Sequence, residues 1–174
     1  MAEENKIIMA WSECTVEIAP TASDDTFATE GLASIGTIKD KSSTLEPSDG
    51  EVLEAKATGG KTVAKEAQEG GYTFKTRVIE PKDALLTKLG IAATEGEELK
   101  VKTHLVAGDW SLRVTPKNVG ARGLKAPKTT ISHKPGWSEE EGNYADIEFE
   151  ILNGNAGYWY SHFKKTASTA GASE

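Results

Sequence analysis

Tyr144-Ala145-Asp146-Ile147-Glu148-Phe149-Glu150-Ile151-Leu152 alternates apolar and acidic side chains almost without interruption. In an extended chain successive side chains point to opposite faces, so Ala145, Ile147, Phe149 and Ile151 share one face and Asp146, Glu148 and Glu150 the other. A helix would scatter both sets around its axis, whereas a half-buried strand separates them. Three carboxylates in a row repel one another, so their face must be wet, and the plain reading is a solvent-facing sheet surface.

The same period recurs upstream. In Trp11-Ser12-Glu13-Cys14-Thr15-Val16-Glu17-Ile18, the side chains of Cys14, Val16 and Ile18 oppose those of Glu13, Thr15 and Glu17. Tyr72 to Ile79 places Tyr72, Phe74, Thr76 and Val78 together. Leu32 to Ile38 reads as a strand weakened by Gly36. Leu99 to Val106, Trp110 to Thr115 and Thr129 to His133 read as further strands, separated by Ala107-Gly108-Asp109 and by a Gly, Pro and Lys-rich connection from Pro116 to Lys128. Asn153-Gly154-Asn155 predicts a hairpin turn that joins Tyr144–Leu152 to a last strand at Gly157–Phe163. One helix is expected after Pro81, with Ala84, Leu85, Leu86 and Leu89 as its apolar stripe and Gly90 as its stop.

Lys39 to Gly71 breaks the pattern. It is polar, rich in Gly, Ser, Thr and Glu, and punctuated at Glu46-Pro47-Ser48-Asp49-Gly50 and Thr58-Gly59-Gly60. Structureless loops beyond about 12–15 residues are uncommon inside a domain, so the segment needs a purpose; Val52, Leu53 and Val63 offer a hairpin within it. The fold class that follows is mainly β, a β-sandwich or barrel with one short flanking α-helix and a long inter-strand loop. The expected organisation is an N-terminal arm over 1–9, one domain over 10–163 and a flexible tail over 164–174.

The chain has 174 residues and a net charge of -7. Residues 1–60 carry 4 basic and 12 acidic side chains, residues 61–137 carry 14 and 8, and residues 138–174 carry 2 and 7. An acidic protein repels phosphates over most of its surface, whereas blocks of opposite sign can guide copies of one chain to each other. A lone cysteine excludes an intrachain disulfide, and the acidic start Met-Ala-Glu-Glu-Asn-Lys does not resemble an export signal. No stretch approaches the roughly 18 apolar residues of a membrane-spanning helix.

The sequence carries no complete catalytic or cofactor motif. Thr58-Gly59-Gly60-Lys61-Thr62 has the end of a phosphate-binding loop, but Ala55 stands where its first glycine belongs. His104, His133 and His162 lack the short spacing of many metal sites. Cys14 lies on an apolar face with no activating base, and no Gly-x-Ser-x-Gly elbow occurs. Glu139-Glu140-Glu141 reads as a solvated charge run. The expectation is a structural building block without cofactor or metal, and not an enzyme.

The order of features between Gly36 and Phe74 is distinctive: a Ser/Thr and acidic loop, the Thr58-Gly59-Gly60 turn, the step Val63-Ala64-Lys65-Glu66, then Glu69-Gly70-Gly71-Tyr72-Thr73-Phe74 and a short Leu-rich helix. This succession, with the ending Tyr144–Leu152, a Gly-containing turn and an aromatic strand, resembles the major tail tube proteins of tailed bacteriophages over most of residues 10–163. The resemblance implies a β-barrel-like subunit, six copies to a ring, and rings stacked into a hollow tube in the virion tail, assembled in the host cytoplasm. It further implies tape-measure and tail terminator proteins as partners, with double-stranded DNA passing through unheld. The 39–71 loop, including Ser42, Glu46, Asp49, Glu51, Glu54, Thr58, Gly59, Gly60 and Lys61, would reach an adjoining subunit or ring. Glu13, Glu17, Asp146, Glu148 and Glu150 would then contribute a repulsive acidic lining to the conduit. Lys117, Arg122, Lys125, Lys128 and Lys134 would meet acidic surface on a neighbour. Two other readings share the strands: the tube of a contractile injection system, and a surface or secreted β-sandwich that binds carbohydrate or protein on a platform of Trp137, Tyr158, Trp159 and Tyr160.

Overall fold

The computed structural model describes residues 8, 13–102 and 108–167. The arm over 1–9 apart from Ile8, Trp11, Ser12, His104, the end of the strand expected to Val106, and the tail from residue 168 lie outside the described residues.

The alternating segments form strands, as their period requires. They are β1 (Cys14–Pro20), β2 (Ala33–Ser34), β3 (Thr37–Ile38), β4 (Thr44–Ser48), β5 (Val52–Lys56), β6 (Thr62–Ala67), β7 (Gly71–Ile79), β8 (Ala92–Glu95), β9 (Glu98–Val101), β10 (Asp109–Pro116), β11 (Arg122–Ser138), β12 (Gly142–Ile151) and β13 (Ser161–Lys164). The helix α1 spans Asp83–Lys88. The protein is thus mainly β.

Antiparallel pairing orders the main sheet β2-β1-β10-β11-β12-β7-β3, with β4 also on β7 and β13 also on β11. The ends of that order belong to one short segment. Ala33 and Ser34 pair with β1, Ile35 donates its N–H to the Val16 carbonyl at 3.0 Å, and Thr37 and Ile38 pair with β7. Gly36, at φ +118, makes the crossing, and a Cβ there would come within 3.2 Å of Val78. The sheet therefore curls until its two ends meet on residues 33–38, which gives it a barrel-like wall.

The inward rows form one core. Val16, Ile18, Ile35, Phe74, Val78, Leu112, Leu124, Ala145, Ile147, Phe149 and Ile151 are buried together. At about 25 cal/mol per Å² of apolar surface this cluster is the main source of stability. Leu85, Leu86 and Leu89 of the helix join it, followed by Ile91 and Ala92. Lys88 approaches the Trp110 ring to 6.0 Å, so α1 lies across the end of the wall where β7 finishes and β10 begins. Gly90 ends the helix at φ +71, while Ala84, expected on the apolar stripe, is exposed.

Three connections differ from expectation. Residues 122–128, read as loop, belong to β11, because Pro127 sits where the β10–β11 register shifts between Trp110 and Leu112. A proline is tolerated at such a bulge, since the N–H it lacks is not needed in the ladder. Ser111 Oγ donates to the Pro127 carbonyl at 2.7 Å and accepts from the Ala28 N–H at 3.1 Å, so the irregularity stays satisfied although Ser111 is fully buried. The expected hairpin across Asn153-Gly154-Asn155 does not form. β12 is paired along both edges as far as Ile151, with Thr129 on one side and Tyr72 on the other, so β13 takes the free edge at the start of β11 instead. The β8–β9 hairpin, which turns at Gly96, was not anticipated.

Candidate functional site

The 39–71 excursion divides into two parts. Its first part belongs to the wall: Thr44–Ser48 pairs with Gly71–Lys75. Ser42 Oγ donates to the Lys39 carbonyl at 2.8 Å and accepts the Arg77 N–H at 3.2 Å, and Glu46 pairs with Lys75 at 2.9 Å. Ser42 and Glu46 are therefore wall residues and not parts of a reaching loop. Beyond Ser48 the chain leaves the barrel as the hairpin β5–β6.

Two glycines make the neck of that hairpin. A Cβ on Gly50 would stand 1.7 Å from the Gln68 carbonyl oxygen, and one on Gly70 would stand 1.8 Å from that of Ser48, so only bare backbone fits. The Gln68 N–H donates to the Glu51 carbonyl at 2.9 Å, and the Gly71 N–H to Ser48 Oγ at 3.0 Å. At the tip the Ala57 N–H donates to the Lys61 carbonyl, with Gly59 and Gly60 at φ +95 and +81. Every residue from Glu51 to Glu69 is exposed, including Val52 at 46%, Leu53 at 47% and Val63 at 62%. Glu51, Glu54, Thr58, Gly59, Gly60 and Lys61 thus project from the body, with Asp49 at the neck. An isolated two-stranded ribbon is marginally stable in water, and this one has two free edges and exposed aliphatic side chains.

A cleft of about 840 Å³ opens where β1 and β4 diverge. Its walls come from the start of β1, the crossing segment 34–38, the turn 39–41, β4, β7, the end of β10 and the start of β11. Cys14 lines it and donates a weak Sγ–H bond to Ser43 Oγ at 3.5 Å. His162 faces it, with Nδ1 3.0 Å from the Gly123 carbonyl oxygen. Sequence reasoning missed this cleft, because it arises where strands distant in the chain separate.

The acidic residues do share outer faces, but not as an uncompensated surface. Asp146 lies opposite Arg77 and Lys134, and Glu148 opposite Lys75. The Arg77 guanidinium donates from Nε and Nη2 to the two Asp146 oxygens at 2.6 and 2.9 Å, and from Nη1 to Glu141 at 2.8 Å. It also lies 4.3 Å from the centre of the Tyr144 ring. Gly136 gives that ring its place, since a Cβ there would fall 2.3 Å from it. Hydrogen bonding to Asp146 pushes the Arg77 pKa up, as bonding to Glu46 does for Lys75. Glu148 pairs with Lys134 at 3.5 Å, Glu17 with Arg113 at 2.7 Å, and Glu13 with Lys117 at 3.1 Å. Lys39 pairs with Glu141. The expected acidic surface is corrected to a largely compensated one, because the neighbouring strands set cations against four of the five acids; Glu150, opposite Thr73 and Thr130, is exposed and has no ion pair among the described residues.

The five basic residues do not form one free patch either. Arg122, Lys125, Lys128 and Lys134 are spread along β11, and Lys117 lies beyond β10. Lys128 is held between Asp25 at 3.2 Å and Asp109 at 3.4 Å, Lys134 and Lys117 are paired as above, and Lys125 stands over the rings of Phe27 and Phe163 at 5.3 and 5.0 Å. The aromatic platform is not assembled. Trp137 is 66% exposed near the end of β11, whereas Trp159 and Tyr160 pack edge-on against Tyr72 beside the core. Among the described residues no group of three or more His, Cys, Asp or Glu side chains could hold a metal ion, and no helix is long and apolar enough to cross a membrane.

The described residues therefore offer a projecting ribbon and an open cleft. No family model matches the chain, and no curated protein matches it in sequence.

Proposed function

We propose that this chain is a self-assembling structural subunit of the tail tube type, whose copies close into rings that stack as a conduit for DNA. The observation that carries this reading is the β5–β6 hairpin, exposed from Glu51 to Glu69 and held away from its own barrel by the Gly50–Gly70 neck. A ribbon with two free edges, exposed Val52, Leu53 and Val63 and no body of its own to pack on gains stability when another copy receives it. The barrel supplies the rigid wall, and the resemblance between Gly36 and Phe74 supplies the class of assembly. In this reading the ring is hexameric, the tube belongs to a virion tail, and tape-measure and terminator proteins meet its interior and its end. The charge-compensated outer faces suit a conduit, since a cation already bound to a carboxylate offers DNA little grip.

Negative-stain microscopy of the purified chain across a concentration series tests the proposal. Rings or tubes that grow with concentration are expected. A chain that stays monomeric at millimolar concentration overturns it.

A further inference from the structure

We propose that the cleft between β1 and β4 receives the β5–β6 hairpin of a second copy of this chain, an inference that rests on the assembly reading above and names its contact. Two strand edges face the opening. On that side β1 pairs with β2 only at Glu17 and Ile18, because the chain turns away at Gly36, so no strand covers the edge at Cys14. β4 pairs with β7 alone. An incoming strand can add to either edge through backbone hydrogen bonds, and alternate side chains then decide which strand fits.

The side chains are complementary. Buried Phe74 and Leu124, with half-buried Leu45 and Cys14, give the cleft an apolar lining; exposed Lys41 and Arg122 line it too, together with Asp40, with Glu13, which Lys117 holds, and with Lys39, which Glu141 holds. Among the described residues neither Lys41 nor Arg122 has an ion pair within its own molecule. On the hairpin, the register Leu53↔Glu66 and Ala55↔Ala64 puts these four side chains on one face. That face is small and apolar with a single acid, and Glu66 has no cation partner among the described residues. The hairpin's Glu54, on the other face, is already paired with Lys65 at 3.4 Å and Lys56 at 3.7 Å. Docking sets Ala55 and Ala64 against the apolar lining and Glu66 against Lys41 and Arg122. The hairpin does not fill the cleft of its own chain, since all of its residues are exposed.

Cys14 lines the cleft and is the only cysteine in the chain, so it serves as a native probe. In full-length Ala64→Cys protein, docking brings the introduced thiol to within the roughly 4 Å Cβ separation of a disulfide with Cys14 of the next copy. Mild oxidation of assembled protein is expected to give a ladder of covalent oligomers, at least about tenfold more than Lys65→Cys, whose thiol lies on the opposite face. In the Ala64→Cys background, Glu66→Lys and Arg122→Glu are each expected to cut the ladder about tenfold, and the two together to restore it. All these positions are exposed, so folding is not at stake. Rings without a ladder above the Lys65→Cys level, or without restoration by the paired reversal, overturn this docking while leaving assembly intact. A wild-type chain that forms no rings at any concentration overturns the assembly reading and this contact with it.

Discussion

His133 lies in register with fully buried Ile147, so its side chain shares the inward face of β11, and its Nε2 is buried without a hydrogen-bond partner among the described residues. Burial pushes its pKa below the ordinary 6.5. The neutral ring is then the form that the fold accepts, while the unfolded chain takes up the proton near the ordinary value. Between these two pKa values the unfolded state binds more protons, so stability is fully present above pH 6.5 and falls as pH drops toward the folded-state value. Most carboxylates titrate below about pH 5, which leaves the interval from 5 to 7 to histidine. Urea midpoints measured across that interval should fall with acid in the wild type and fall less in His133→Leu; equal slopes would remove His133 as the cause. Gly123 is a second residue with a defined limit. A Cβ there would lie 2.6 Å from the Val114 carbonyl oxygen and 2.5 Å from the Phe163 ring, and backbone cannot yield as a side chain can. Gly123→Ala is expected to cost about 1–3 kcal/mol in urea unfolding, the usual penalty of overpacking.

The elements show which signals in the sequence are self-sufficient. β1, β7 and β12 were legible because each buries one face, and burial prints a period of two on the chain. The hairpin was half legible: Val52, Leu53 and Val63 marked its strands, but nothing local tells that residues 51–69 stand clear of the barrel. β11 was misread before Thr129, because Pro127 signals a break unless the bulge opposite Ser111 is known. β13 was misplaced because an Asn-Gly turn argues for the nearest strand, whereas the edges of β12 were already taken by β11 and β7. The ion pairing of the charged site residues was not legible for the same reason: the acids on β12 and the cations on β7 and β11 are far apart in sequence and adjacent only through register. The independence of the hairpin has a thermodynamic consequence. Replacing residues 50–70 by a two-residue Asn-Gly turn keeps β4 opposite β7 and removes only exposed side chains. Thermal unfolding of that variant should shift by less than about 1 kcal/mol, as for changes away from the core, while assembly by light scattering is abolished. A large loss of stability would mean that the hairpin supports the barrel itself.

For the molecule as a whole, the decisive electrostatic feature is compensation across strands rather than the net charge of -7. The outer face of β7, β12 and β11 carries Asp146, Glu148 and Glu150 in a central row, with Arg77 and Lys75 on one side and Lys134 on the other. Each cation is held by a carboxylate of this row or by Glu46 or Glu141, and little positive charge is left for a phosphate to engage. A protein that carries DNA past such a face has to keep those carboxylates, because removing them frees Lys134 and leaves Arg77 with Glu141 alone, while Glu46 still holds Lys75. The triple variant Asp146→Asn, Glu148→Gln, Glu150→Gln should therefore gain binding to double-stranded DNA that the wild type lacks. With about one to two phosphates neutralised, the log–log dependence of its affinity on salt should have a slope of roughly -1 to -2. Fluorescence anisotropy of a labelled duplex at low and moderate salt measures both quantities. If the variant binds no better than the wild type, the carboxylates do not hold these cations away from phosphate, and the face would have to repel DNA by its net charge alone.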